Sequence, residues 1–536
     1  MSRLKNRAIR GSASSAPAAS GGRHAPLLSL SLGKRFIRWQ KLNTVAGIDL
    51  GTQSLKIVVY DYENHSEVIK TSEKIDIIAE NDGTREQKAE WFKKAMSSCF
   101  AKIPSEIRSS IKALGVSGQQ HGFVPLDKNG NAVYNVKLWN DTSTAEECKK
   151  ITETLGGEQK AIAEAGNLIM PGFTAGKILW LKLHKPEAFE KLHYIMLPHD
   201  YLNYLLTGEY VMEYGDASGT ALFNPVSRTW SKKICDAIDS SLYSKLPELI
   251  GSDKTCGLVT AEAAAEFGIT EGIPVSSGGG DNMMGAIGTG TVAPGVLTMS
   301  MGTSGTLYGY SDSFVADPVQ GISGFCSSSG GYLPLLCTMN CTVVTEFTRS
   351  LFGLDVKEFD AVAEKAAPGC DGVFILPYLN GERSPNFPHG KCSVQGLTAG
   401  NYTKENICRA AMESAVFAMK GGLEHFSKLG FKAKEIRLIG GGAKSRLWRQ
   451  IAADIMNLPV VLPAYDEAAA LGAALQALYV LLAGKGQQVS FAELCKEHVK
   501  IKDDMSVLPN PANQEVYAQR YSDYQTLIGC VEKLYR

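Results

Sequence analysis

The stretch VAGIDLGTQSLKIVVY, residues 45–60, reads as two strands joined by a tight turn. Val45 to Leu50 is apolar enough for a buried strand, and Gly51-Thr52-Gln53-Ser54 supplies turn residues. Leu55 to Tyr60 carries the β-branched side chains that favour strands. A second stretch, GVLTMSMGTSGTLYGY at 295–310, repeats the arrangement, with Gly302-Thr303 where the first has Gly51-Thr52. Gly-Thr is a common dipeptide, so coincidence is one explanation. Matching strands on both sides favour a duplicated fold, with one turn from each half facing a shared cleft. Between the hairpins, short strands at Lys112–Val116 and Phe123–Leu126 alternate with helical stretches at Thr142–Leu155 and Lys177–His184. Strands interleaved with helices predict α/β architecture.

A chain of 536 residues exceeds what one hydrophobic core usually serves, so two large domains are expected. The Gly- and Pro-containing stretch Gly288 to Gly295 divides them into residues 44–290 and 291–536. A formal net charge of zero gives no field to attract nucleic acid or an anionic membrane, and neither is expected as a partner. No apolar run approaches the roughly 20 residues that span a bilayer. Twelve cysteines lie scattered without zinc-ligand spacing, which suits buried thiols in a reducing, cytoplasmic setting. Residues 1–43 differ from the rest. No acid precedes Asp49, whereas Arg3, Lys5, Arg7, Arg10, Arg23, Lys34, Arg35, Arg38 and Lys41 are basic. That composition fits an organelle transit peptide, a disordered extension, or a start site placed too early; an organelle is therefore the alternative location.

Four glycine-rich elements could carry chemistry. In the first hairpin, Asp49 places a carboxylate beside the N–H groups of Gly51 and Thr52, an arrangement suited to phosphate with Mg²⁺. A plain turn with a solvated Asp is the competing reading. In the second, Gly302, Thr303 and Ser304 offer N–H and O–H donors and no acid. The third is Gly278-Gly279-Gly280-Asp281-Asn282, where three glycines leave open space in front of a carboxylate. Asp281 there suits a general base for phosphoryl transfer, or a cap on the helix expected from Asn282. The fourth is Gly440-Gly441-Gly442-Ala443-Lys444-Ser445, a strand-to-helix turn of the kind that binds phosphate or nucleotide. It lacks both the Walker A spacing and GxGxxG. Gln119, Gln120 and His121, then Trp139, Asn140 and Asp141, could bond sugar hydroxyls and cover an apolar face. Core roles for His121 and Trp139 stay equally open. Together the elements predict ATP-dependent transfer to a small polyhydroxy sugar.

These residues resemble the FGGY carbohydrate kinases. The likeness lies in Gly47 to Thr52, Gly278 to Asn282, Met301 to Gly305 and Gly440 to Ala443, and in Met170-Pro171-Gly172-Phe173-Thr174-Ala175-Gly176-Lys177. Ser117 to Gly122, Leu138 to Asp141, Leu197 to Leu202 and Leu379 to Pro385 are similar to the members acting on D-xylulose. The likeness runs in order from Thr44 to Leu478. It implies two ribonuclease-H-like domains of the actin/hexokinase-like ATPase type around a deep cleft. It also implies ATP with Mg²⁺, and transfer to the terminal hydroxyl of D-xylulose. By that resemblance Asp281 is the base, and Asn282 and His121 hold the sugar, with Gln120, Trp139 and Asp141 beside them. Asp49 positions Mg²⁺, Gly51, Thr52, Gly302 and Thr303 face the phosphates, and Gly440, Gly441, Gly442 and Ser445 line the nucleotide. Gln120 stands where many bacterial members carry Met, and the basic extension is outside the usual pattern. Ribulose or gluconate as substrate, and an inactive sugar or nucleotide sensor, are the alternatives. A homodimer is left open.

Overall fold

A computed structural model describes residues 42–385 and 387–535, so residues 1–41 of the basic extension lie outside the described residues. The first hairpin forms as expected. Strand β1 (Thr44–Leu50) pairs antiparallel with β2 (Ser54–Asp61), and the Gly51 N–H donates to the Ser54 carbonyl at 3.0 Å. Val45, Ala46, Ile48 and Leu50 are all fully buried, because this strand is covered on both faces. β3 (Ser66–Lys74) extends the sheet antiparallel to β2, and β4 (Ile111–Gly118) runs parallel to β1 on its other side. β5 (Thr255–Leu258) and β6 (Pro274–Ser276) complete the order β5-β6-β4-β1-β2-β3, and the two-residue β7 (Gly279–Gly280) also pairs with β4.

The second sheet repeats this wiring. β8 (Val296–Met301) and β9 (Gly305–Gly309) form the second hairpin. β10 (Ile322–Cys326) and β11 (Tyr332–Thr338) continue on the antiparallel side, whereas β12 (Glu435–Ile439) and β13 (Val460–Val461) add parallel strands on the other. The order is β10-β11-β9-β8-β12-β13. In both sheets a Gly-Thr hairpin has antiparallel strands to one side and a parallel neighbour on the other, with β5 antiparallel at the edge of the first sheet, so the architecture is duplicated α/β.

Strands of the first sheet all precede Asp281, and those of the second all follow Gly295. One helix crosses that division. Ala468–Gly484 packs on β1 and β4 and against the helix Asp281–Thr289. Small residues permit the approach: a Cβ on Gly47 would lie 1.8 Å from the Ala470 carbonyl oxygen, and one on Gly472 would lie 1.8 Å from that of Met284. Backbones that touch leave no room for side chains, so the two halves are joined through a glycine and alanine seam.

Two local expectations need correction, whereas the strand expected at Phe123–Leu126 forms over Val124–Leu126 and pairs with Tyr194–Met196 in a separate small sheet. The helix expected from Thr142 begins at Ala145, since Asp141 Oδ1 accepts the Ser143 N–H (3.0 Å) and holds a turn there. Asp281 is not the cap of its helix. Gly280 occupies that position, and Asp281 is the first helical residue.

Candidate active site

The carboxyl ends of β1, β4 and β7 lie side by side, and from them come Asp49, the 119–122 segment and Asp281. Asp49 pairs in register with Ser117, as does Gly279. Ser117 Oγ donates to Asp49 Oδ1 at 2.8 Å, yet burial still holds the Asp49 carboxyl above its usual range. Asp281 is pushed up to about 7, chiefly by burial and then by the like charges of Asp49 and Asp216; the Asn282 N–H, donated to Oδ1 at 2.8 Å, opposes this. A carboxylate poised there accepts a proton effectively near neutral pH.

The three preceding glycines each have a reason. A Cβ on Gly278 would meet Val116 O and the His199 ring, both at 2.8 Å; one on Gly279 would meet Ser328 Oγ (2.4 Å); one on Gly280 would meet Gln120 Cγ (2.6 Å). Gly278 also has φ 73°, which side chains disfavour. Close packing on three sides thus presents Asp281 to a cavity of about 660 Å³.

Gln120, His121, Trp139 and Asn282 share that cavity with Asp281. Asn282 Nδ2 donates to Gln120 Oε1 at 2.8 Å. The His121 carbonyl accepts from Lys177 Nζ (2.5 Å) and Thr174 Oγ1 (3.2 Å), which fixes its left-handed backbone. Its ring packs edge-on to Phe173 and stacks on Phe325, and burial first, then the Lys177 and Arg383 charges, hold it well below its usual pKa. The imidazole is therefore neutral at pH 7. Trp139 Nε1 donates to Thr52 Oγ1 at 2.9 Å, which ties the first hairpin turn to the cavity wall.

Asp141 does not join them. Its fully buried carboxylate accepts from the Arg85 N–H (2.9 Å) and Ser143, and pairs with Lys137 Nζ (3.1 Å), which also reaches Glu86. These partners turn it away from the cavity wall.

On the opposite wall stand Ser300, Gly302, Ser304 and Thr306 of the second hairpin, with Thr303 exposed at its tip. The fourth glycine element lies against this turn: Gly440, at φ 90°, would place a Cβ 2.7 Å from the Met301 carbonyl oxygen. Gly440 and Gly441 are exposed. Ser445 caps the helix Arg446–Met456 by accepting the Trp448 N–H (3.1 Å).

Among the described residues no group of three or more His, Cys, Asp or Glu side chains could hold a metal. Mg²⁺ does not need one, since it commonly takes one or two carboxylates and completes its shell with phosphate oxygens and water. Asp49 and Asp281, hard oxygen donors whose charges bear on each other, fit that requirement.

Sequence reading missed a buried charge network beneath Asp281. His199, fully buried, lies 2.7 Å from Asp216 and 2.9 Å from Asp200, and the two carboxylates raise it well above its usual pKa despite burial. The His121 backbone N–H faces Asp216. The network therefore links the 119–122 segment to the helix Pro198–Thr207. Asp216 stands in Tyr214-Gly215-Asp216-Ala217, which has no motif to betray it.

Two sheets, each built on a Gly-Thr hairpin in a mixed α/β chain, have the fold of the actin/hexokinase-like ATPase class. The chain belongs to the FGGY family of carbohydrate kinases, matching its N-terminal domain over residues 44–288 and its C-terminal domain over 287–481. It is similar to the xylulose kinase of Haemophilus influenzae, with 41% identity over 489 residues, which is 90% of this chain and 98% of that protein. Among solved structures it is similar to a xyloylose kinase from Brucella ovis (28% identity, TM-score 0.85, 92% of this chain and 100% of that one). A xylulose kinase from Bifidobacterium adolescentis is also similar (30% identity, TM-score 0.76, 90% and 99%). As a carbohydrate kinase, the protein acts on a sugar and ATP. Among the described residues no helix is long and apolar enough to cross a membrane.

Proposed function

We propose that the protein transfers the γ-phosphate of ATP to the terminal hydroxyl of D-xylulose, with Asp281 as general base. The observation that carries this reading is the Asp281 carboxyl, raised to about 7 on a cavity shared with Gln120, His121 and Asn282. Similarity to xylulose kinases over nine-tenths of the chain supports the choice of sugar.

His121, Gln120 and Asn282 hold the sugar, and Trp139 covers one side of it. Asp281 takes the proton of the terminal hydroxyl as its oxygen bonds to the γ-phosphorus. The bond from that phosphorus to the ADP oxygen breaks, and the proton stays on Asp281 until product leaves. Asp49 would position Mg²⁺, which supplies charge neutralisation on the phosphates when bound. Gly51, Thr52, Gly302 and Thr303 present N–H and O–H donors to phosphate, and Gly440, Gly441, Gly442 and Ser445 border the nucleotide.

In this reading residues 44–290 form the sugar-binding half and 291–536 the nucleotide-binding half. The partition of strands between the two sheets supports that division. The twelve free cysteines support a reducing setting such as the cytoplasm.

The test is ADP release with a panel of sugars, for the native protein and Asp281→Asn. D-xylulose should give the highest kcat/KM, and Asp281→Asn should lower turnover by about 10²–10⁴ while ATP binding is kept. Ribulose or gluconate outperforming xylulose would overturn the substrate. No stimulation by any sugar would favour a sensor.

A further inference from the structure

The segment at residues 380–384 enters the cavity from the second half and is built to hold one side chain in place. Glu382 is buried, and its carboxylate accepts the N–H groups of Met339 (2.6 Å) and Arg383 (2.8 Å) and Nδ2 of Asn340 (3.1 Å). Glu382 and Phe387 exchange both backbone hydrogen bonds (2.8 and 2.9 Å), and Ser384 Oγ donates to Gly321 O at 3.2 Å. Between these anchors stands Arg383, which lines the same cavity as Gln120, His121, Asp281 and Asn282.

Several neighbours locate its guanidinium. A Cβ on Gly172 would lie 3.8 Å from Nη2, so the side chain reaches across to the first half. Lys177 Nζ donates to both the Gly172 and His121 carbonyls (2.6 and 2.5 Å), which brings the guanidinium beside the His121 segment, and the Arg383 charge bears on His121, Lys177 and Cys337. Arg383 therefore stands at the His121 end of the cavity. Among the described residues no carboxylate comes within 4.0 Å of the guanidinium. Glu382, its neighbour in sequence, is engaged by N–H groups instead. A cation held in a cavity without a counter-charge favours a ligand that supplies acceptor atoms.

We propose that Arg383 reads the non-reacting end of the sugar and selects 2-ketoses over the corresponding alditols. This rests on the functional reading above. With the terminal hydroxyl at Asp281, the hydroxyketone end of the chain points towards His121. A guanidinium offers five N–H donors and no acceptor, and a carbonyl oxygen only accepts. Its planar fork matches two neighbouring oxygens, here the carbonyl and the adjacent hydroxyl. Reduction of the carbonyl to an alcohol adds a proton that must be turned away from the fork. The same arginine thus binds the ketose better than the alditol, and it engages as the second half closes on the first.

The test is kcat and KM for D-xylulose and for xylitol in the wild type, Arg383→Met and Arg383→Lys. Arg383→Met should raise KM for D-xylulose about 10–100-fold, the range for losing a charged hydrogen bond. KM for xylitol should move less than about threefold, so that the preference collapses. Arg383→Lys keeps the charge without the fork and should fall between. Equal losses for both substrates, or no change in KM, would overturn the inference. So would a drop in kcat at constant KM, which would assign Arg383 to the transferring phosphoryl group. Should Arg383→Met fail to fold, Arg383→Lys decides alone on the same criterion of unequal loss. A wild type inert towards every 2-ketose would overturn the functional reading itself, and this inference with it; an active wild type with unaltered variants overturns this inference only.

Discussion

The two Gly-Thr hairpins share a backbone plan and differ in chemistry. Aligned on Gly51 and Gly302, Asp49 of the first corresponds to Ser300 of the second, and Thr52 to Thr303. In the first, the strand ends in a half-buried carboxylate fixed by Ser117 and flanked by Lys56 and Glu467. In the second, the same place holds a hydroxyl that lines the cavity beside Ser304 and Thr306. A duplicated scaffold therefore presents an acid-bearing turn on one side and hydroxyl-bearing turns on the other. The first suits a cation that accompanies phosphate, and the second suits the phosphate oxygens themselves. Two acid-bearing turns would repel the nucleotide, and two hydroxyl turns would leave its cation without a protein ligand.

Altering the two side chains one at a time breaks this asymmetry and should give the largest effects. Asp49→Asn should lower kcat by about 10²-fold and raise the Mg²⁺ concentration needed for half-maximal rate. Ser300→Asp should raise KM for ATP by about tenfold, because one like charge close to phosphate costs on the order of 1–2 kcal/mol near a protein surface. Steady-state kinetics over a Mg²⁺ series reads both. An Asp49→Asn enzyme with unchanged Mg²⁺ dependence would remove the first turn from its role, and unchanged ATP affinity in Ser300→Asp would remove the second.

The acids of the first half also set a pH dependence. Asp281 accepts a proton only when ionised, and its carboxyl releases its own at about 7. kcat/KM should therefore fall about tenfold per pH unit below that value and level off above it. Asp216 raises the Asp281 pKa by its like charge, so Asp216→Asn should move the limb to lower pH. A limb that stays in place would show that Asp216 serves the loop and not the base.

The asymmetry between the turns was legible because it is local. Asp49, Gly51 and Thr52 stand within four residues, as do Gly302 to Gly305, and Asp281 directly follows its glycines. The duplicated α/β architecture followed from the same spacing. What was illegible depends on partners far away in the chain. His199 meets Asp216 across 17 residues, and Gly47 needs its missing side chain because Ala470 lies on it. Arg383 was visible only as one letter of a family-like segment, since its place beside Gly172 and Cys337 is a product of folding. Buried charges carry no periodicity, and glycines that permit close approach look like glycines that make turns.

Asp141 tests where the acids of the first half stop serving ligands, and its substitution should have the smallest kinetic effect. It was expected beside the sugar, next to Trp139, but its carboxylate is directed to Lys137, the Arg85 N–H and Ser143. Lys137 is itself buried between Asp141 and Glu86, with its ammonium 4.0 Å from the centre of the Trp180 ring. Asp141→Asn removes one of two counter-charges from a buried cation and weakens the N–H contact that joins residue 85 to the 138–143 turn. It should therefore cost about 1.5–3 kcal/mol of stability, the range for a hydrogen bond to a charged group, and lower Tm by several degrees. KM for the sugar should stay within about twofold, because the turn still carries Trp139 on its bond to Thr52. Calorimetry and sugar kinetics on one preparation separate the outcomes. A raised KM at unchanged Tm would return Asp141 to the substrate, and the reverse result makes it the residue on which the Trp139 wall is built.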